Sequence, residues 1–181
     1  IDAGVPIISS LGDPQAFPDG AHFVSGASVD RGLPASLAVL AMKKLDVVAG
    51  VSTAITTEGR PLARGTAASF PGSIGPLWAE VSALPASWPK DWRLLKAPYD
   101  GALTGVSVKV EGEVAGSPRV VSHAVVDDPR FLGAIALAAA ALMLIDEALP
   151  QGSNEVHQYS ERYIEACTVA GMGVASFSPA S

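Results

Sequence analysis

We predict an α+β fold for this sequence, built from a mixed or mostly antiparallel sheet with helices packed on one face. Leu103 to Val114 and Arg119 to Val126 flank a turn predicted at Gly116-Ser117-Pro118, and Val106, Val108 and Val110 alternate with polar residues, which indicates a β-hairpin with one buried face. Asp128-Pro129 predicts a helix start, because Asp is a favoured N-cap and Pro fits the first turn. Apolar residues make up 49% of the chain, with Ala and Gly outnumbering aromatic residues, which suits helices packed closely on a sheet.

The length and composition indicate one globular domain spanning residues 1–181. A chain of this length can bury an adequate core without metals or disulfides. The 12 basic and 18 acidic residues give a net charge of −6, and the basic residues are scattered along the sequence. Because nucleic acids and anionic membranes require a clustered positive surface, we expect neither as a partner.

Two features bear on the cellular location. The apolar run from Phe131 to Ile145 is shorter than the roughly 20 residues of a spanning helix, so we expect a buried core helix rather than a membrane anchor. The single cysteine, Cys167, has no partner for an internal disulfide, which favours a reducing compartment, and we predict a cytoplasmic protein. We expect Cys167 to be buried as a small hydrophobe, because no base lies nearby in the sequence to activate it.

The remaining elements follow from local start and stop signals. Strands outside the hairpin are predicted from apolar and β-branched runs at Val5 to Ile8, His22 to Ser25, Asp46 to Thr57 and Val174 to Phe177. Helices are predicted from Gly32 with Pro34 in the first turn, from Asp128 to about Leu149, and from Tyr159 to Ala170 with Gly171 as terminator. Thr66 is predicted to cap a further helical segment that breaks at Pro71-Gly72 and resumes from Pro76 to Ala83.

The first 20 residues admit two interpretations. Ile1-Asp2-Ala3-Gly4 resembles the last turn of a helix with Gly as its left-handed terminator. A helix end with no helix before it suggests the remnant of an upstream domain, and the alternative is a frayed N-terminus.

The segment from Gly59 to Thr66 is the strongest candidate for a binding site. Arg60 and Arg64 lie in a Gly-containing loop, just after a predicted strand and just before a predicted helix start. The planar guanidinium group suits carboxylates and phosphates, and free N–H groups at a helix start add to anion binding. The alternative is a solvated loop with two surface arginines, and spacing alone does not choose between them.

Other kinds of site are disfavoured by the sequence. His22, His123 and His157 are far apart and lack a metal-ligand spacing, so we predict no metal site. Asp128 is interpreted as a helix cap rather than a cation ligand, and His123 as an outward or satisfied residue within a strand. The sequence has no G-x-S-x-G elbow and no G-x-G-x-x-G after a strand. A hydrolase with an unrecognised triad is kept as a third hypothesis.

Three segments carry a resemblance to a known family. Asp2 to Pro14 is similar to the sequence that ends the cofactor half of the saccharopine dehydrogenase-like oxidoreductases. Gly32 to Ala38 resembles a helix start of that family, and Arg64 to Thr66 resembles a triplet that follows the next strand. The Ala-rich helix, the Gly/Pro break and the last helix follow the same order. Ile7 and Ser9 depart from the tyrosine and the aspartate of the usual opening.

The resemblance implies an NAD(P)-dependent oxidoreductase. NAD or NADP would be bound mainly by a nucleotide half upstream of Ile1, with residues 1–20 as the remnant of that Rossmann domain. This chain would be the substrate-binding and dimerising half, a homo-oligomer that acts on a small anionic substrate. The implied substrate-binding residues are Arg60, Arg64 and Thr66, and the implied cofactor-binding residues are Ser10, Gly12 and Asp13. No residue is singled out as the proton donor, and the alternative function is a non-catalytic small-molecule-binding or oligomerisation module.

Overall fold

The computed structural model describes residues 6–9, 22–29, 31–57, 60–61, 67–68, 77–78, 103–146, 149–150 and 152–177. In chain order the elements are β1 (Ile7–Ile8), β2 (His22–Ser25), α1 (Gly32–Met42), β3 (Val47–Thr57), β4 (Arg60–Pro61), β5 (Ala67–Ala68), β6 (Leu77–Trp78), β7 (Thr104–Val114), β8 (Ser117–Asp127), α2 (Pro129–Ile145), β9 (Gly152–Glu155), a 3-10 helix (Val156–Tyr159), α3 (Ser160–Val169) and β10 (Ala175–Phe177). The predicted α+β class is confirmed. The strands of the described residues form a three-stranded parallel sheet, a five-stranded antiparallel sheet and a two-stranded ribbon.

The β7–β8 hairpin lies at the centre of the antiparallel sheet, whose strand order is β10-β8-β7-β3-β4. Its turn consists of Ala115 and Gly116, with φ angles of 52° and 75°. Positive φ at both positions is the type I′ geometry, which matches the twist of two-residue hairpins. The predicted turn at residues 116–118 is therefore displaced by one residue, since Ser117 and Pro118 belong to β8. Pro118 is tolerated there because it lies near the start of the strand.

One face of the antiparallel sheet packs against α1. Val106, Val108 and Val110 alternate to this face and are fully buried in the same core cluster as Leu33 and Leu37 of the helix. The helix contacts β7 and β8 on one side and α3 on another. A helix with neighbours on several sides is expected to be apolar around most of its circumference. The sequence of α1, GLPASLAVLAM, agrees with this expectation.

The helix α3 packs against both α1 and α2. Tyr163 of α3 is fully buried, and its hydroxyl donates a 3.3 Å hydrogen bond to the carbonyl of Ala136 in α2. The C-cap of α2 is Asp146, so this helix ends before the predicted position near Leu149. A negative charge at a helix C-terminus opposes the helix dipole and favours this early end. None of the helices in the described part of the chain has the length and apolarity needed to cross a membrane.

The ribbon of β5 and β6 corrects a helix prediction. The sequence predicts a helical segment that starts at Thr66 and resumes over Pro76 to Ala83, whereas Ala67 pairs antiparallel with Trp78. Short apolar runs do not distinguish a helix from a strand by periodicity, and pairing with a distant segment decides between them. The ribbon contacts β3 through β6.

The parallel sheet has the order β1-β2-β9. Its first two strands were predicted, whereas β9 was not. The side chain of Asn154 holds β9 in place: its amide group donates to the carbonyls of Pro150 at 2.9 Å and Gly152 at 3.1 Å. Its amide oxygen accepts a 3.1 Å hydrogen bond from the hydroxyl of Tyr159. These bonds fix the point at which the chain leaves the sheet.

Candidate functional site

The carboxyl ends of the three parallel strands meet at one edge of the sheet, because β1, β2 and β9 pair in register and run in the same direction. The carbonyl of Ser9, just after β1, accepts a 3.1 Å hydrogen bond from the N–H of Ala27, just after β2. Open α/β sheets bind ligands in the crevice outside such strand ends. We call the region formed by Ser9, residues 26–29 and residues 155–157 the carboxyl edge.

The helix α1 begins directly on the carboxyl edge. The N–H of Leu33 donates a 3.0 Å hydrogen bond to the carbonyl of Ser28, which closes the turn into the helix. Gly32 approaches the edge so closely that an added Cβ would lie 1.8 Å from the carbonyl oxygen of Gly26 and 2.3 Å from Cγ2 of Val156. Glycine is therefore required for this contact. The partial positive charge of the helix start is directed at the edge and attracts an anion or a polar oxygen.

Two serines near this helix start carry buried hydroxyl groups for which the described residues supply no partner. Ser28 lies in the turn before α1, and Ser36 lies in the second turn of the helix. By contrast, the buried hydroxyl of Ser25 donates to the carbonyl of Asn154 at 3.3 Å. A buried hydroxyl without a partner costs about 1–3 kcal/mol, and a hydrogen bond to a bound molecule would remove this cost. The Ser28 hydroxyl can therefore pair with a polar group bound at the carboxyl edge.

A carboxylate–imidazole pair follows β9. Nδ1 of His157 lies 3.0 Å from Oε2 of Glu155, and 11% of the imidazole side chain is exposed against 47% of the carboxylate side chain. Burial lowers the pKa of His157, and the charge of Glu155 partly opposes this shift. The imidazole is therefore neutral near pH 7, and a carboxylate orients it. Such a pair can accept a proton from a bound molecule.

This pair was missed at the level of the sequence, where the histidines were considered for metal binding. The available signal is the E-x-H spacing of residues 155–157, which is short and common. Only the parallel pairing of β9 with β2 brings these residues to the carboxyl edge. The functional meaning of the spacing therefore depends on a contact between segments that are distant in the sequence.

The structure describes one of the six predicted binding residues. Arg60 lies in β4, where its backbone pairs with Thr57 at the end of β3 in the antiparallel sheet. The other predicted residues lie outside the described residues: Arg64, Thr66, Ser10, Gly12 and Asp13. All six assignments stay predictions.

Two other residues considered in the sequence have structural roles. Oδ1 of Asp128 accepts hydrogen bonds from the N–H groups of Arg130 at 2.7 Å and Phe131 at 3.3 Å, which confirms the predicted cap. Cys167 is fully buried, as predicted, and burial raises the pKa of its thiol to about 12. Across the described ranges, no three or more histidine, cysteine, aspartate or glutamate side chains are grouped in a way that could hold a metal ion.

Together, the fold and the site define an α+β protein with a helix start and a carboxylate–imidazole pair at the carboxyl edge of a parallel sheet. No family model matches the chain, and no curated protein matches it. Function is therefore inferred from the geometry of the carboxyl edge and from the segments that carry the family resemblance.

Proposed function

We propose that this chain is the substrate-binding and dimerising half of an NAD(P)-dependent oxidoreductase similar to the saccharopine dehydrogenase-like enzymes. In this proposal the carboxyl edge faces the nicotinamide end of NAD or NADP, and an upstream domain holds most of the nucleotide. The topology supports this orientation, because dinucleotides bind outside the carboxyl ends of parallel strands. Asp2 to Pro14 and Gly32 to Ala38, which carry the resemblance, include β1 and the start of α1 at this same edge.

The observation that carries the proposal is the buried hydroxyl of Ser28 next to the start of α1, for which the described part of the chain supplies no partner. A nicotinamide carboxamide offers a carbonyl acceptor and an amide donor, so it can pair with a hydroxyl and a backbone group at one place. The partial positive charge at the helix start favours the carbonyl oxygen. Binding there would satisfy a hydroxyl that the described residues leave without a partner.

His157 is the proton acceptor in this proposal. The chemistry supplied by NAD(P)+ would be that of a hydride acceptor. The proton of the substrate hydroxyl or amino group moves to the neutral imidazole of His157, which Glu155 orients at 3.0 Å and stabilises once it is charged. Burial lowers the pKa of His157, and this direction keeps the imidazole in its neutral form at neutral pH.

The predicted binding residues belong to the same proposal and rest on the resemblance. Arg60, Arg64 and Thr66 would hold the anionic group of a small substrate. Ser10, Gly12 and Asp13 follow the strand that ends at the carboxyl edge and would contact the nicotinamide. We also propose a cytoplasmic location, because a reducing compartment keeps a lone thiol reduced. The proposal of a homo-oligomer rests on the resemblance.

Amide NMR of the full chain, titrated with NADPH and with nicotinamide mononucleotide, tests the proposal. We expect saturable shifts of the signals of Ser9, Ala27, Ser28 and Leu33. Ser28→Ala should weaken the binding of both ligands by about tenfold, the effect of one lost hydrogen bond. Ser107→Ala is the matched control, because the hydroxyl of Ser107 is also buried with no partner among the described residues but lies on β7, away from the carboxyl edge. Unchanged signals at the carboxyl edge with both ligands would contradict the proposal and favour the non-catalytic module.

A further inference from the structure

Lys109 is a buried cation on the face of the antiparallel sheet opposite α1. Side chains alternate along β7, so the buried valines of this strand face α1 while Lys109 and Glu111 point to the other face. Only 7% of Lys109 is exposed. Lysine is almost never buried to this degree without a paired anion, because removing an ammonium group from water is costly.

The ammonium group of Lys109 has one polar partner among the described residues. Its Nζ lies 2.6 Å from Oε1 of Glu111. An ammonium group has three N–H donors, so this contact leaves donors for further acceptors. The two partners differ in their exposure: 9% of the lysine side chain is accessible, against 52% of the glutamate side chain. The carboxylate is therefore the partner that can move into water at low cost.

Small and polar residues surround this ion pair. Ser52 of β3 and Ser122 of β8 lie directly opposite Lys109, which places their Cβ atoms on the same face at about 5 Å. Ser122 is buried and Ser52 is exposed, so the surroundings of Lys109 open towards β3. Gly50 lies opposite Glu111 just after a β-bulge, and an added Cβ there would lie 3.9 Å from Oε2 of Glu111. We call these five residues the Lys109 recess.

We propose that the Lys109 recess binds the carboxylate group of a small molecule, which replaces Glu111 as the partner of Lys109. The side chain of Glu111 shows that a carboxylate fits against Nζ at this position. Ser52 and Ser122 flank Lys109 on the two neighbouring strands, and serine hydroxyl groups can donate to the oxygens of an incoming carboxylate. One carboxylate takes the place of another, so the buried ammonium keeps a counter-ion throughout the exchange.

The Lys109 recess is separate from the carboxyl edge. It lies on the sheet face turned away from α1, whereas the carboxyl edge lies at the start of α1. A carboxylate bound by Lys109 is therefore a second ligand and not the molecule that would lose a hydride at the carboxyl edge. A result that contradicts one of the two proposals leaves the other unchanged.

Propionate is the probe, because it reproduces the side chain of Glu111. It is titrated into the full chain and followed through the amide signals of residues 50–52, 109–111 and 122. We expect weak saturable binding to the wild-type chain. Binding to Glu111→Gln should be about tenfold tighter, because the competing carboxylate is removed while the ammonium group stays in place. Propionamide, which has the same shape without the charge, should not bind.

Glu113→Gln is the matched control, since it removes the same charge from an exposed residue of β7 and leaves the partner of Lys109 intact. This variant should bind propionate like the wild-type chain. Lys109→Met should abolish binding, and Ser28→Ala should leave it unchanged. Equal propionate affinity in the wild-type chain and Glu111→Gln, or an equal response to propionamide, would overturn the proposal. That comparison does not depend on whether Lys109→Met folds.

Discussion

The N–H of Ala115 donates a 2.7 Å hydrogen bond to Oδ2 of Asp46, which joins the tip of the β7–β8 hairpin to the chain just before β3. A second bond, from the N–H of Asp46 to the carbonyl of Glu113 at 2.8 Å, makes the same connection through the backbone. Ala115 has a φ of 52°, a conformation that non-glycine residues rarely adopt. The contact with Asp46 thus stabilises an alanine in a turn position that usually takes asparagine or glycine.

One substitution is expected to stabilise the hairpin turn. Ala115→Asn creates the Asn-Gly pair that type I′ turns favour, and we expect the free energy of unfolding to rise by about 0.5–1 kcal/mol. Chemical denaturation measures the change. Gly116→Ala is the opposing control: φ is 75° there and no atom lies within 4 Å of an added Cβ, so the backbone conformation alone should lower stability by about 1 kcal/mol. A loss of stability in Ala115→Asn would show that the turn is held in another way.

The hairpin illustrates which parts of the fold were predictable. The sequences of β7 and β8 specify two strands, and this prediction is confirmed. The prediction of one buried face is wrong, because Ser107 and Ser122, on the face opposite the core valines, are buried as well. The turn was placed one residue too late, because Gly-Ser-Pro has the composition of a loop and Ala115 does not suggest positive φ. The contact that stabilises Ala115 comes from Asp46, 69 residues earlier in the chain. No local signal contains that information.

Gly32 is expected to be highly sensitive to substitution. In Gly32→Ala the new Cβ would lie 1.8 Å from the backbone oxygen of Gly26, which cannot rotate away. We expect the free energy of unfolding to fall by at least about 3 kcal/mol, the upper range for overpacking. Gly133→Ala is the control, because it lies within α2 with nothing near an added Cβ, and helix propensity should raise stability by about 0.5–1 kcal/mol. Thermal denaturation of both variants checks that the melting temperature falls in Gly32→Ala and rises in Gly133→Ala.

The carboxyl edge was less predictable than the hairpin. His22–Ser25 and the helix from Gly32 were predicted correctly from local signals. Their meaning depends on β9, which pairs with β2 across most of the chain length and has a weak strand sequence, GSNE. The pairing places Glu155 and His157 beside the start of α1. Sequence alone therefore indicated the helix start but not the residues that lie beside it.

Cys167 is expected to be inert in the folded protein. Burial raises the pKa of the Cys167 thiol to about 12, and a hydrogen bond with Tyr163 offsets only part of this shift. Since the thiolate is the reactive form, a disulfide reagent at mildly alkaline pH should modify this cysteine only when the protein unfolds. The rate of modification should follow the unfolding rate and rise sharply in guanidinium chloride. Rapid modification of the folded chain without loss of structure would show that the thiol is accessible.

His123 should make the stability of the protein sensitive to acid. Nδ1 of His123 shares a 2.8 Å hydrogen bond with Oγ of Ser176, which ties β10 to β8, and Nε2 is buried without a partner among the described residues. His123 is therefore a core residue and does not point outward, and of its two ring nitrogens Nδ1 is satisfied. Burial lowers the pKa from 6.5 to about 4, and the charge of Lys44 adds to the shift.

Protonation of His123 therefore favours the unfolded chain, where the pKa keeps its ordinary value of 6.5. The stabilising contribution of the neutral imidazole is fully present above pH 6.5 and is lost as the pH falls towards 4. At pH 4 the free energy of unfolding is lower by about 3 kcal/mol for this reason. Urea denaturation at several pH values should show a smaller decrease for His123→Gln than for the wild-type chain. Ser176→Ala, which keeps the imidazole and removes its partner, should retain the decrease. An identical pH dependence in His123→Gln and the wild-type chain would assign the acid sensitivity to other groups.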